Sequence, residues 1–242
     1  MCLNIFVRVE FVACRLEEAF ALFFSDIDIA AVWSYFYRCW EYIQVIAMII
    51  YVACAAGFCY LLYHLILSGL FKFDIEVDEE EIPKLRIAYK NYVGEYKTAG
   101  QHFKSLVSAV KSKTGFNPDS YLGVYFDDPT KVKPSECRFT VAVVLDDDGA
   151  ENPLKEDGYK EGNIIVTNAL HATFPFYGIV SILLAISRVY PALTNAATAK
   201  SLEGTVMIEL SHISKHLTDY YFPFGKNAGQ FYSLVDDLKK SK

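Results

Sequence analysis

Two histidines four residues apart, His212 and His216, and a run of three acids, Asp146 to Asp148, are the side chains whose types first suggest metal chemistry. Neither spacing supports it. The histidines flank the end of VMIELSH, which alternates as a strand does, and on a strand end that spacing does not bring two ligands together. The aspartate run lacks the ligand spacing of a calcium loop and reads as a solvated linker. The six cysteines, Cys2, Cys14, Cys39, Cys54, Cys59 and Cys137, have no zinc-ligand spacing. Only Cys137 lies beyond residue 71, so the downstream region has no second thiol for a disulfide, as in a reducing compartment. Cys39 is the thiol best placed for lipid attachment, against the commoner reading of inert or buried thiols. No nucleophile with a base and an orienting partner can be read, so a non-enzymatic role without cofactor or metal is expected. In VMIELSH, Val206, Ile208 and Leu210 alternate against Met207 and Glu209; a lone carboxylate names no reaction.

The elements that would position these groups are of two kinds. Between Glu41 and Lys72 thirty residues carry no Asp, Glu, Lys or Arg, roughly 45 Å as a helix. A bilayer core needs about twenty apolar residues. Val45 to Leu62 is the most apolar part, and Trp40, Tyr42, Tyr60 and Tyr63 flank it as interfacial aromatics do. The segment starts too late and is too long for a cleaved leader, so it is expected to act as a signal-anchor. Lys72, Lys84 and Arg86 follow it, against Arg38 before it, which places the downstream part in the cytosol. The expected divisions are an N-terminal extension (1–41), a transmembrane helix (42–71), a folded domain (72–237) and a short basic tail (238–242). FVACRLEEAFALFF in the extension could form an amphipathic surface helix or have little function. Net charge is −6, which disfavours direct contact with nucleic acid.

Past Lys72 the periodicity changes. FKFDIEV alternates, Asp78 to Glu81 reads as an acidic turn ending at Pro83, and LRIAYKNYV sets Leu85, Ile87 and Tyr89 against Arg86 and Lys90, a half-buried strand. Phe103, Leu106, Val107 and Val110 fall at helical spacing, with Asn117 and Pro118 as the stop. SYLGVYF and CRFTVAVVL are strands separated by a turn. After the Asp/Gly/Pro-rich linker the order recurs: NIIVTNALHATF as strand, YGIVSILLAISRVY as a helix stopped by Pro191, then GTVMIELSH and LTDYYFPF as strands. This predicts an α+β domain of two pseudo-symmetric strand-helix-strand-strand halves sharing a sheet, with both helices on one face. Gly162 to Ser187 is also free of charge, but its continuous apolar part, Tyr177 to Ile186, gives about 15 Å of helix, too short to span.

In that arrangement the chain resembles the GyrI-like (SOUL-like) domain family, and within it membrane-anchored members. The resemblance is carried by PKLRIAYKNYVGEY with its Gly-x-Tyr turn, by YLGVYFDDPTKVKPSECR against a Gly-x-Tyr-Tyr-Asp-x-Pro strand and turn, by ATFPF followed by a helix and RVYPAL, and by FYSLVDD near the end. It covers about Tyr42 to Asp237. It implies a single-pass endoplasmic-reticulum protein with its domain in the cytosol, acting as an adaptor or receptor in selective autophagy of that organelle (reticulophagy). Its partners would be the lipid bilayer and ubiquitin-like autophagy modifiers, which take an aromatic-x-x-aliphatic segment as an added strand. Anchored members carry that segment on a long acidic, serine-rich tail, whereas this sequence runs only a few residues past the last expected strand. Phe231 and Leu234 of FYSL are the candidate anchors here, against a reading as strand residues. The family equally implies a ligand pocket between the halves, in which an acid on a second-half strand and aromatic walls hold lipophilic cations. The matching acid is Glu209, with Tyr89, Tyr125, Phe174 and Tyr221 as candidate walls, so cation binding or hydrolysis centred on Glu209 is the alternative function.

Overall fold

The structure is a computed structural model that describes residues 28–115, 118–145, 152–204 and 206–225. Asp146 to Asp148, Phe231 and Leu234 lie outside the described residues. The chain divides into two compact units, Met1–Leu61 and Leu62–Lys242.

Helix α1 spans Ile29–Leu67, 39 residues and so about 58 Å long, more than a bilayer core requires. It starts where Asp28 can cap it: the Asp28 carboxylate accepts from the Ala30 and Ala31 amides at 3.0 and 3.2 Å. Against the expected 42–71, α1 also takes in Ile29 to Glu41, because Arg38 and Glu41 do not interrupt helical hydrogen bonding, and it ends at Leu67. Its large apolar side chains face outward, Trp33 at 71% and Tyr51 at 75% exposure. The helix stops at a left-handed Gly69 (φ +89°), where the Leu70 amide donates back to the Leu65 carbonyl at 3.1 Å.

Among the described residues six antiparallel strands follow, β1 Asp78–Val93, β2 Ser120–Tyr125, β3 Arg138–Val144, β4 Lys160–Pro175, β5 Met207–His212 and β6 Leu217–Pro223, with α2 (Ala99–Thr114) and α3 (Ile179–Ala199) inserted after β1 and β4. The expected recurrence of order is therefore present. The sheet is not open: it closes as a barrel in the order β1-β3-β2-β5-β6-β4. The two helices both lie on its outside. Closure is achieved by β1 and β4, which are 16 residues each and pair along most of their length as well as with β3 and β6. The acidic stretch expected as a turn is the first part of β1; register shifts between Glu80 and Leu85 absorb Pro83, which lacks the amide a regular ladder needs. Pro191 likewise does not stop α3, which runs on to Ala199 and buries Leu193 and Ala197 beyond it. Their burial offsets the one helical hydrogen bond that proline removes. Helix α2 ends before Asn117, at a left-handed Gly115 (φ +79°).

Three apolar clusters follow from this layering. Ile87, Tyr89, Leu122, Val124, Ile208 and Tyr221 belong to the cluster inside the barrel, to which no helix contributes. Leu106 and Val110 of α2 pack on Tyr121, Phe139 and Val141 outside it. Ala185, Val189 and Leu193 of α3 pack on Leu170, Phe174 and Phe222.

Candidate functional site

Glu209 points outward from β5, between the regions covered by α2 and α3. Its register partners are Gly123 on β2 and Tyr220 on β6. Gly123 has no side chain, and the Tyr125 ring lies back over it: a Cβ there would meet Tyr125 Cε2 at 3.2 Å, its hydroxyl at 3.3 Å and Phe103 Cζ at 3.4 Å. That gap brings the Tyr125 hydroxyl to the Glu209 carboxyl, to which it is hydrogen-bonded. From α3 the Tyr190 hydroxyl donates to Glu209 Oε1 at 2.6 Å. Tyr220 meets Tyr190 edge-to-face at 6.0 Å, and Tyr96 meets Tyr125 likewise at 5.0 Å. The result is one carboxyl with two phenol donors and a surround of aromatic rings.

Burial pushes the Glu209 carboxyl above the usual carboxylate range, and the phenol hydrogen bonds offset part of that. The residue as a whole keeps some exposure, yet desolvation remains the largest influence on its acid group. Tyr125 and Tyr190 are held well above the ordinary phenol value by burial and by the negative charge of Glu209. Both phenols therefore stay protonated donors. Such a group can hold a cation by charge and by ring faces, or take and release a proton.

The two turns singled out in the sequence meet beside this site. The Tyr96 hydroxyl of the first Gly-x-Tyr turn accepts from the Asp127 amide at 3.0 Å and lies 2.8 Å from the Asp127 carbonyl. Asp127 itself holds Arg138 through two guanidinium contacts of 2.9 and 2.6 Å and the Arg138 amide at 2.7 Å.

Of the five residues expected at the site, the structure brings Tyr125 to Glu209. Tyr89 and Tyr221 belong to the barrel-interior cluster, on the opposite side of the sheet. Phe174 is on the helix-covered side but is packed under α3, against the turn at Gly69. Tyr190 and Tyr220 border the Glu209 carboxyl in their stead. The signal for Tyr220 was its odd-even position: on DYYFP it shares a side with Thr218 and Phe222.

A second polar group closes one end of the barrel. His171 Nδ1 lies 2.9 Å from Asp78 and 2.7 Å from Glu80, and its Nε2 lies 3.2 Å from Asp219. Asp219 also accepts from Thr173 at 2.7 Å and faces His212 Nε2 at 3.2 Å. Asp78, Glu80 and His171 are close enough to share a cation, though two of the three are exposed acids. Burial alone would lower the His171 pKa; hydrogen bonds to Asp219 and Asp78 and the charge of Glu80 outweigh it, and the pKa is raised.

Residues 75–224 match the family model of the GyrI-like small molecule binding domain. The chain belongs to the GyrI-like family. It is similar to human testis-expressed protein 264, 31% identical over 184 residues, covering 72% of this chain and 55% of that protein. The mouse homologue is 28% identical over 184 residues, covering 72% and 56%. The chain thus spans about half the length of these relatives. Among solved structures, the EcmrR C-terminal domain overlays with a TM-score of 0.44 at 14% identity, covering 63% of this chain and 98% of that one.

Proposed function

We propose that this GyrI-like protein is a single-pass endoplasmic-reticulum membrane protein whose domain works in the cytosol as a non-enzymatic adaptor in autophagy of that organelle. The observation that carries the membrane part is α1: thirty-nine helical residues with outward apolar side chains, running directly into the domain. The similarity to testis-expressed protein 264 supports the rest, with Phe231 and Leu234 as the modifier-binding anchors. The lipid bilayer and ubiquitin-like autophagy modifiers are the partners on this reading. The test has two parts. The full chain should resist alkaline carbonate extraction from microsomes while its C-terminal end stays open to protease. Modifier pulldown should then be lost in the Phe231→Ala, Leu234→Ala double variant; undiminished pulldown rejects those anchors.

A second reading is supported by the Glu209 group: a pocket for a lipophilic cation. An acid whose acceptors face two phenols, ringed by aromatics, suits an apolar cation, each ring face adding about 0.5–2 kcal/mol. Fluorescence titration with a rhodamine dye checks it. Saturable binding weakened tenfold or more in Glu209→Gln supports the pocket, and identical binding by both proteins removes it.

A further inference from the structure

Beyond α1, the described residues leave an apolar surface on α3. Ile179, Ile182, Leu183 and Ile186 recur at 0, 3, 4 and 7 and are 68, 36, 60 and 53% exposed. The inward stripe of the same helix, Ser181, Ala185, Val189 and Leu193, is buried against the barrel. The first half of α3 is therefore apolar on both sides, whereas its outward face farther along carries Thr194, Asn195 and Thr198. A helix facing water would be polar along its whole outer side. No Asp, Glu, Lys or Arg occurs between Glu161 and Arg188 to supply that polarity.

Arg188 connects this helix to the residues that leave α1. Its guanidinium donates to the carbonyls of Gly69 at 2.7 Å, Leu70 at 2.9 Å and Lys72 at 3.0 Å, and lies over the Phe73 ring at 4.4 Å. These residues and the end of α1 from Leu62 on belong to the same compact unit as the barrel. From Leu67 to Gly69 the chain can reach no more than about 7 Å. Phe71 and Phe73 in that turn are 65 and 66% exposed, adding apolar surface at the same place.

We propose that the outward face of α3 from Ile179 to Ile186 rests on the bilayer, seating the domain on the membrane. The inference rests on the reading of α1 as a membrane anchor, and the occupant it names is lipid. Lipid is the surface already at hand where α1 ends, and Arg188 holds the turn that follows α1 to the same helix that carries the patch. An amphipathic helix of this kind sinks its apolar side about 5–10 Å, to the headgroup–acyl boundary.

The experiment uses the full chain in lipid nanodiscs with both native tryptophans replaced, Trp33→Phe and Trp40→Phe. Single tryptophans are then introduced as Leu183→Trp on α3, Lys104→Trp on the exposed side of α2, and Met48→Trp in α1. Emission is read with phospholipids brominated near the headgroup or deep in the acyl chains. Leu183→Trp should be blue-shifted and quenched by the shallow bromines, and Lys104→Trp should show neither effect. Met48→Trp should be quenched by the deep bromines; no quenching there would sink the anchor reading and this one with it. Quenched Met48→Trp with Leu183→Trp behaving as Lys104→Trp overturns the seating alone. A blue shift that grows with protein density without bromine quenching identifies a second copy as the occupant, and deep quenching of Leu183→Trp identifies a span; either overturns the proposal.

Discussion

At Gly123 the missing side chain sets the geometry of the acid. Tyr125 reaches Glu209 because its ring can lie across the strand above residue 123. Gly123→Ala should shift the ring by a few tenths of an ångström, weakening the Tyr125–Glu209 hydrogen bond, with a stability loss of about 1 kcal/mol for overpacking read by urea denaturation. At the barrel end, His171 is raised and Asp219 is lowered; burial opposes the Asp219 shift, and hydrogen bonds from His171 and Thr173 outweigh it. The His171 contribution is complete below its unfolded value of about 6.5 and disappears as pH rises through its higher folded value. The Asp219 contribution is complete above about 3.9 and disappears as pH falls through its lower folded value. His171→Gln should therefore lower the thermal midpoint most under mildly acidic conditions, with the gap to the native protein closing as pH rises through the raised folded value of His171. A gap that stays constant with pH would show that the imidazole charge contributes nothing.

At the scale of elements, the junction between α1 and the domain is built on Gly69. Its φ of +89° is costly for any residue with a Cβ, by about 1–2 kcal/mol. An added Cβ would also sit 2.7 Å from Phe174 Cζ, inside a ring that α3 holds fixed. Gly69→Ala should lower the thermal midpoint of the detergent-solubilised chain. Arg188→Leu removes the donor shared by three carbonyls of the turn and should speed trypsin cleavage after Lys72, followed by gel; an unchanged rate would mean the turn holds without it. The α3 stop expected at Pro191 failed for a related reason. A proline costs one helical hydrogen bond, and burial of Leu193 and Ala197 beyond it offsets that loss.

For the whole molecule, the halves repeat but do not stand apart, since β1 and β4 each pair along both. Unfolding of the domain should be one cooperative transition. Leu122→Ala, in the first half and fully buried in the barrel, should cost about 2–5 kcal/mol and lower hydrogen-exchange protection equally in β5 and β6 of the second. Loss confined to the first half would show two independent units. The element order, the GyrI-like family and the long apolar helix were legible in the residues. Glu209, Met207 and the strand alternation around them were placed correctly, because Val206, Ile208 and Leu210 alternate visibly. Tyr220 was missed in favour of Tyr221. Both sides of that strand are buried, one by the barrel and one by α3, so DYYFP shows no apolar–polar alternation to say which side is which.

The sequence by itself determined what local chemistry can write: thirty uncharged residues, strand and helix periods, a repeated order and the alternation that sets Glu209 against Val206, Ile208 and Leu210. Tertiary structure alone decided that the sheet closes, that Tyr125 and Tyr190 share the Glu209 carboxyl, and that Arg188 grips the turn after α1. Those outcomes depend on pairings between residues far apart in the chain, as with Tyr190 and Glu209 or Arg188 and Gly69, and no periodicity within either segment encodes its distant partner.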